Sequence, residues 1–519
     1  VKQFSSFLTL AFGMLCVASL NAATFTVTTV LDEFDFPSGV NLSLREALRD
    51  ASAAAGDDTV VFADALSGQT LLLNGQIALN LNSVDRVTVD ASSLPSALTV
   101  SGGGTCRLFS VTGSNGALSL VKLILTSGNG AGGGVNGTGG AILLNVVTLS
   151  LDRCTLINNA TNVGGAVMNN GGRVIADDCT FAANRSETGQ GGAIYQGASG
   201  SLMAQRCSFT GNSSVDNGGA LYSSGTANLT QCSFVGNSGM SGGAVFNAMN
   251  SSLVINHCTI TNNNSQNSAG GITCSYASLT LANSIVAGNN SLSGSAMDIS
   301  NLGNSPFGAS TVTRIGANLV QSSANNGNLA SDTGPEAISL APLLSPLGHY
   351  GGLTQTVALL PGSPARENSI GSSMTSDQRG LPIVGTPDLG AYESGTITNF
   401  ENFIWETLPA TATTLQHASN FDYDGDGQSN EAEWIAFTDP VDPSSRFAAI
   451  AQRHGASLTI TVPTALGRVY NLKESATMSS NSWTSVNGSL SEFGTGSPIT
   501  FSIPMIGEGR FYQVQVSLP

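Results

Sequence analysis

The sequence predicts an all-β chain: a right-handed parallel β-helix with a short N-terminal capping helix, plus a small C-terminal β-sandwich. Three observations carry this reading. The middle of the chain repeats about every 25 residues, each repeat alternates apolar and polar residues as a strand does, and 62 of 519 residues are glycine while only 10% are charged. A repeat of that length is one supersecondary unit, which buries its apolar side only when neighbouring units cover it.

Residues 1–22 read as a secretory signal peptide. Lys2 supplies a positive start, Phe7 to Leu20 is almost wholly apolar, and Asn21-Ala22-Ala23 offers small residues for cleavage. Cys16 follows Leu15 rather than a small residue, which argues against a lipid-anchored leader. No later run approaches the roughly 18 apolar residues of a membrane span, so no integral span is expected. The formal charge of −16 repels phosphate backbones and anionic lipid surfaces, so nucleic acid is not an expected partner.

Residues 23–117 are expected to form the cap and the first turns of the β-helix. Within "LSLREALRDASAAAGDDTVVF" (42–62), Ser43 followed by Glu46 makes a capping box, and Leu44, Ala47, Leu48 and Ala51 share one helix face. Such a helix would cover the open sheet edge of the first turn.

The repeats proper span 118–300. Aligned on cysteine they read "CTLINN" at Cys154, "CTFAAN" at Cys179, "CSFTGN" at Cys207, "CSFVGN" at Cys232 and "CTITNN" at Cys258. A second marker, Gly-Gly-Ala with an aliphatic residue, keeps the same beat from Gly139 to Gly242. Positions five and three before each cysteine are mostly aliphatic, as in Val174 and Ala176; two polar residues intervene, and the apolar phase resumes at the cysteine. That recurring slip predicts a corner. Stacked turns would then place Phe181, Phe209 and Phe234 in an internal aromatic ladder and Asn159, Asn184, Asn212, Asn237 and Asn263 in an amide ladder. After Cys258 the pattern departs: Asn283 is read in the cysteine place, with the turn amide slipped by one to Asn289.

Five cysteines recur in register and would point the same way from stacked strands, a geometry unsuited to disulfides. A buried thiol ladder is expected instead. The residues just before each cysteine, Arg153, Asp178, Arg206, Gln231 and His257, read as an outward, solvated ionic row rather than a catalytic groove. Asp177 and Asp178, adjacent in a strand, are expected to face opposite ways and not to cooperate. No residue is assigned a catalytic role.

Residues 301–396 are expected to end the β-helix, with His349, Asp377, Arg379, Asp388 and Glu393 holding loops by hydrogen bonds. Residues 397–445 read as a linker containing a calcium-binding loop, "DYDGDGQSNEAE". Asp422, Asp424 and Asp426 fall at loop positions 1, 3 and 5, and Gly427 at the sharp turn. Gln428 offers a carbonyl, Asn430 stands at position 9, and Glu433 at 12 can close the cage with two oxygens. Converging carboxylates repel one another unless a cation lies between them. A single such loop suits a stiffened linker, whereas a sensor uses paired lobes. Residues 446–519 alternate through Leu458, Ile460 and Val462, then Ile499, Phe501 and Ile503, as a small β-sandwich would.

The Phe-x-x-Asn and Gly-Gly-Ala-Ile/Leu/Val alternation over 135–290 resembles the repeat of the chlamydial polymorphic outer membrane proteins. That resemblance implies surface display and adhesion, in its best-known members through an autotransporter. The 42–62 segment resembles the CSLREA-type module, with Leu42 in place of its Cys. "GGLTQTVALLPGSPA", "DQRGLPI" and "DLGAYE" (351–393) look like the choice-of-anchor Q domain of bacterial surface proteins, and the tail resembles C-terminal modules of exported planctomycete and verrucomicrobial proteins. Residues 446–519 are too few for an eight-strand outer-membrane barrel, so no autotransporter barrel is expected within them.

The expected function is therefore adhesion or surface display by a secreted or cell-surface, non-catalytic protein, with a glycan or surface protein as partner. A polysaccharide-cleaving β-helix enzyme is the rival, requiring convergent acids beside a base in one groove. A purely structural envelope element is the third reading.

Overall fold

The computed structural model describes residues 22–54, 56–82, 85–130, 137–293, 297–486, 491–505 and 509–519. Apart from Ala22, the signal-peptide segment lies outside them. The chain coils into a parallel β-solenoid whose strands stack into four sheets. One has twelve strands, from Thr24–Val27 to Ala330–Thr333; two have ten, from Ile77–Leu81 to Ser323–Asn326 and from Thr70–Leu72 to Leu319–Val320. The fourth has six short strands, from Ala160–Thr161 to Asn290–Ser291.

One turn shows how the repeat builds this. Arg173–Asp177 runs with Val174 and Ala176 buried, the chain bends at Asp178, and Thr180–Ala182 and Arg185–Ser186 follow before Ile194–Gln196. The sequence slip before each cysteine is a left-handed residue: φ is 52° at Arg153 and Asp178, 51° at Arg206, 52° at Gln231 and 47° at His257. Non-glycine residues enter this region at a cost. Here each corner N–H is held by the next turn, as in Asp178 N to Gln205 O (3.1 Å) and Arg206 N to Thr230 O (3.1 Å). The paired glycines divide their task. Gly191 adopts φ 69°, and a Cβ on Gly192 would meet Gly219 O at 2.0 Å.

Register stacks like on like. Phe181 pairs with Phe209 and Phe209 with Phe234, and their rings stack. The amide ladder is continuous, each Asn Nδ2 donating to the next Oδ1: 3.0 Å from Asn159 to Asn184 and from Asn184 to Asn212, then 2.9 Å to Asn237 and to Asn263. It proceeds to Asn289 (2.8 Å) and ends on Asp298 (2.9 Å). The unit after Cys258 is thus in register, and its expected slip is corrected. Ser284 takes the cysteine place, its Oγ accepting from Cys258 N at 3.1 Å, while Asn283 is the corner residue at φ 45°. The sequence reading fell one residue early because no cysteine marks this turn. All seven described cysteines are buried free thiols.

Helix α1 (Leu44–Ala53) covers the first turns with Leu44, Ala47, Leu48 and Ala51. Its capping box is complete: Ser43 N donates to Glu46 Oε2 (2.9 Å) and Glu46 N to Ser43 Oγ (3.2 Å). One apolar core then runs without interruption from Val27 to Val320.

After Ala330–Thr333 the chain doubles back. An antiparallel pair, Leu344–Gly348 with Thr356–Leu359, opens a strap that packs Tyr350, Leu359, Leu389 and Tyr392 against Ile285 and Leu319 of the solenoid. Helices α2 (Phe400–Thr407) and α3 (Asn430–Ala436) follow and share a small core of Phe403, Ile404, Leu408 and Trp434. Two antiparallel sheets close the chain. Ser457–Val462 pairs with Ile450–His454 and Ile499–Pro504, Val469–Ser475 pairs with Phe511–Ser517, and both sheets bury Ile460, Tyr470, Leu472 and Phe501. No helix among the described residues is long and apolar enough to cross a membrane.

Candidate metal centre

The loop ahead of α3 is curled by its own carboxylates. Asp422 accepts from Gly425 N (2.8 Å) and Gly427 N (2.9 Å), Asp424 from Asp426 N (3.1 Å), and Asp426 from Gln428 N (2.7 Å). Gly425 and Gly427 supply the left-handed backbone, at φ 78° and 94°. Ser429 caps α3 by accepting from Ala432 N (3.3 Å). As a result Asp422, Asp424 and Asp426 each bring one carboxylate oxygen within 4.8 Å of the other two. Unit charges at that separation repel by about 1 kcal/mol per pair even in bulk water.

Glu433, fully buried on α3, stands outside that triplet but feels all three charges. Burial first, then Asp424, Asp426 and Asp422, push its carboxyl up to about 7. Asp424 is raised by burial and by the other two aspartates. Three buried oxygens here have no hydrogen-bond partner: Asp424 Oδ2, Glu433 Oε2 and Asn430 Oδ1. Native proteins rarely leave such atoms unsatisfied. The Asn430 amide nitrogen meanwhile donates to Gln416 O and Ala418 O, both at 2.8 Å. The Gln428 side chain is occupied by Asp426 (3.3 Å) and by Phe447 N (3.3 Å), which leaves its main-chain carbonyl as the group it offers. The donor set is entirely hard oxygen and net negative, and it fits a calcium-type cation.

The corner row of the solenoid departs from expectation twice. Arg206 joins the two adjacent acids, donating from Nη2 to Asp177 (2.7 Å) and to Asp178 (2.9 Å) and from Nε to Asp178 (2.9 Å). Asp178 sits at the left-handed corner, so strand alternation does not separate it from Asp177. Nor are Gln231 and His257 solvated; they are 2% and 4% exposed. The strap crosses over them: Gln231 donates to Ser376 O, and His257 Nε2 lies 2.8 Å from Ser372 Oγ. Burial pushes the His257 imidazole down to about 4.

The strap's own charged residues hold its loops. Asp377 accepts from Arg379 N (2.8 Å), Leu381 N (3.2 Å) and Glu393 N (3.1 Å) and pairs with Arg379 Nε (2.7 Å). Arg379 also donates to Tyr350 O (3.1 Å) and lies over the Tyr392 ring. Glu393 accepts from Val384 N (3.1 Å) and Asp388 N (2.9 Å). Asp388 in turn accepts from Ser394 N (2.6 Å), and His349 O from Asn399 Nδ2 (2.8 Å). Sequence reasoning missed Arg468, whose side chain grips α3 from the C-terminal sheets; an arginine before a strand carries no signal of its own.

Residues 206–224, the part of one solenoid turn from the Arg206 corner past Gly218-Gly219, match the Chlamydia polymorphic membrane protein repeat. No curated protein matches the chain. Among solved structures, the enzymatically active domain of tailspike protein 4 from bacteriophage CBA120 is similar at 11% identity and a TM-score of 0.25. That alignment covers 92% of this chain, which spans 66% of the tailspike chain.

Proposed function

We propose that this protein is an exported, surface-displayed β-solenoid that binds a glycan or a surface protein without cleaving it, and that it holds calcium in the 422–433 loop. The single observation that carries the binding reading is the division of labour within the repeat. The recurring Cys, Phe and Asn are consumed by internal ladders, so variation is left to outward positions such as Arg185, Glu187 and Thr188 in one turn and Met203 and Val215 in the next. The matched repeat of a membrane-protein family supports display at a cell surface, with residues 1–22 directing export. Surface labelling after cell fractionation tests display: label confined to the cytoplasm would overturn it.

Calcium rests on the three unpartnered buried oxygens beside the converging Asp422, Asp424 and Asp426 carboxylates. The groups that would hold it are Asp422, Asp424, Asp426, the Gln428 carbonyl, Asn430 and Glu433. The ion would neutralise their repulsion and stiffen the connection between strap and C-terminal sheets. Calorimetry should give heat with calcium that is lost in Asp422→Ala/Glu433→Ala; equal heat in both proteins would refute the assignment.

One observation favours the rival enzyme. Asp177 and Asp178 meet at Arg206 beside a cleft of about 140 Å³ lined by Met203, Gln205, Asn228 and Thr230. Incubation with acidic and neutral polysaccharides decides: reducing or unsaturated ends that appear with wild type and vanish in Asp177→Asn would replace the binding reading.

A further inference from the structure

Helix α3 is held from both ends by different parts of the chain. Its buried Glu433 belongs to the acidic loop, while the carbonyls one and two residues later, Trp434 O and Ile435 O, each accept from Arg468 at 2.7 Å. Arg468 is 7% exposed, its guanidinium lies 4.6 Å from the Trp434 ring centre, and it continues directly into Val469–Ser475, the central strand of a C-terminal sheet. An arginine on the last carbonyls of a helix is favoured by the helix dipole. A second tie runs from the loop itself: Gln428 Oε1 accepts from Phe447 N, and Phe447 packs on the C-terminal core.

On the opposite side, the Trp434 ring packs at a tilt of 43° against Phe403 of α2, with ring centres 5.5 Å apart. Helix α2 is tied to the strap by Asn399 to His349 O (2.8 Å) and Gly395 N to Glu406 (2.8 Å). Every tie between solenoid and C-terminal sheets named here therefore passes through α3 or the loop that begins it.

We infer that cation occupancy of the 422–433 loop sets whether the C-terminal sheets are locked to the solenoid, with Arg468 as the clamp that transmits the state of α3. This rests on the calcium reading above. Without a cation, repulsion among Asp422, Asp424, Asp426 and Glu433 loosens the turn of α3 whose carbonyls Arg468 holds. With one, the loop and helix become a single rigid seat for Arg468 and Phe447.

The test uses the full chain, calcium chloride or a chelator, and three proteins: wild type, Arg468→Ala and Arg468→Lys. Calorimetry reads calcium binding, limited proteolysis within 437–447 reads the junction, and circular dichroism checks folding. In wild type, calcium should slow junction cleavage at least tenfold. Arg468→Ala should show less than twofold protection and, because coupling between cation and clamp is reciprocal, bind calcium about tenfold more weakly than wild type. Arg468→Lys, which keeps the charge but not the two-pronged grip, should fall between them and keeps the test valid if the alanine variant does not fold. Calcium heat without junction protection in wild type would overturn the lock while leaving the calcium reading standing, as would full protection in folded Arg468→Ala. Absence of heat in wild type would overturn both.

Discussion

The ring of Phe209 lies 4.4 Å from that of Phe234, with the planes 3° apart, and 4.7 Å from that of Phe181 on its other side. Free aromatic pairs favour offset or edge-on contacts. Here strand register imposes the stack, because paired residues on parallel strands are spaced by about 4.8 Å. Phe209 has no alternative packing, since both of its faces are already taken.

Phe209→Ala should therefore open a cavity that neighbouring turns cannot fill, at a cost of about 3–5 kcal/mol. Phe209→Leu should cost less. Because a solenoid's stability is close to a sum over turns and their interfaces, the loss should be local. Hydrogen exchange should quicken for amides around 207–211 and 232–236 and stay unchanged near α1. Uniform loss of protection along the chain would contradict this.

The amide ladder makes a sharper prediction about charge. Asn212 donates to Phe181 O (2.8 Å) and Asn237 Oδ1 (2.9 Å), and its own Oδ1 accepts from Asn184. Asn212→Asp removes both side-chain donations in a fully buried row, and each orphaned group costs about 1–3 kcal/mol. Asp298 ends the same ladder, where its Oδ1 accepts from Asn289 Nδ2 and N. Asp298→Asn should be tolerated within about 1 kcal/mol. Denaturation midpoints of the two variants check the contrast, and equal shifts would remove the argument.

The thiol ladder predicts silence. Burial raises the thiols of Cys179, Cys207 and Cys232, and Cys179 and Cys207 each donate to main-chain carbonyls (3.1–3.5 Å). The thiolate is the nucleophile, so the native protein should resist iodoacetamide for hours and react at all seven buried positions once denatured. Reductant should leave the melting temperature unchanged. Rapid native labelling of Cys207 would contradict both points.

Much of this was legible because a solenoid repeats its local physics. The spacing of Val174, Ala176, Cys179 and Phe181 marks strand, corner and strand in a single turn, and stacking follows from repetition. The convergence of Asp422, Asp424 and Asp426 was legible because their spacing is local. The strap was not: Gln378 reaches Ser233 Oγ (2.6 Å) across 145 residues, and nothing near Gln231 or His257 announces the chain that covers them. Arg468 escaped notice for the same reason, since its partners lie 33 and 34 residues away on a helix with no matching motif.

Two buried groups at the strap should pull stability in opposite directions with pH. Burial, with Asp388 and Asp377 nearby, lifts Glu393 from an ordinary 4.5 to about 7. The folded state then holds more protons than the unfolded chain between those values, so this group makes stability fall as pH rises from about 4.5 to 7. Burial lowers His257 from 6.5 to about 4, so the unfolded chain holds more protons there and stability rises over about pH 4–6.5. Asp388, raised by burial, adds to the Glu393 side. Glu433, lifted to about 7 in the acidic loop, acts in the same sense as Glu393, so in calcium-free buffer wild type should be less urea-resistant at pH 7 than at pH 4.5. Glu393→Gln, which keeps an acceptor oxygen for Val384 N or Asp388 N, should shrink that difference. His257→Asn should enlarge it. Parallel profiles for the two variants would show that the strap's stability is set by neither group.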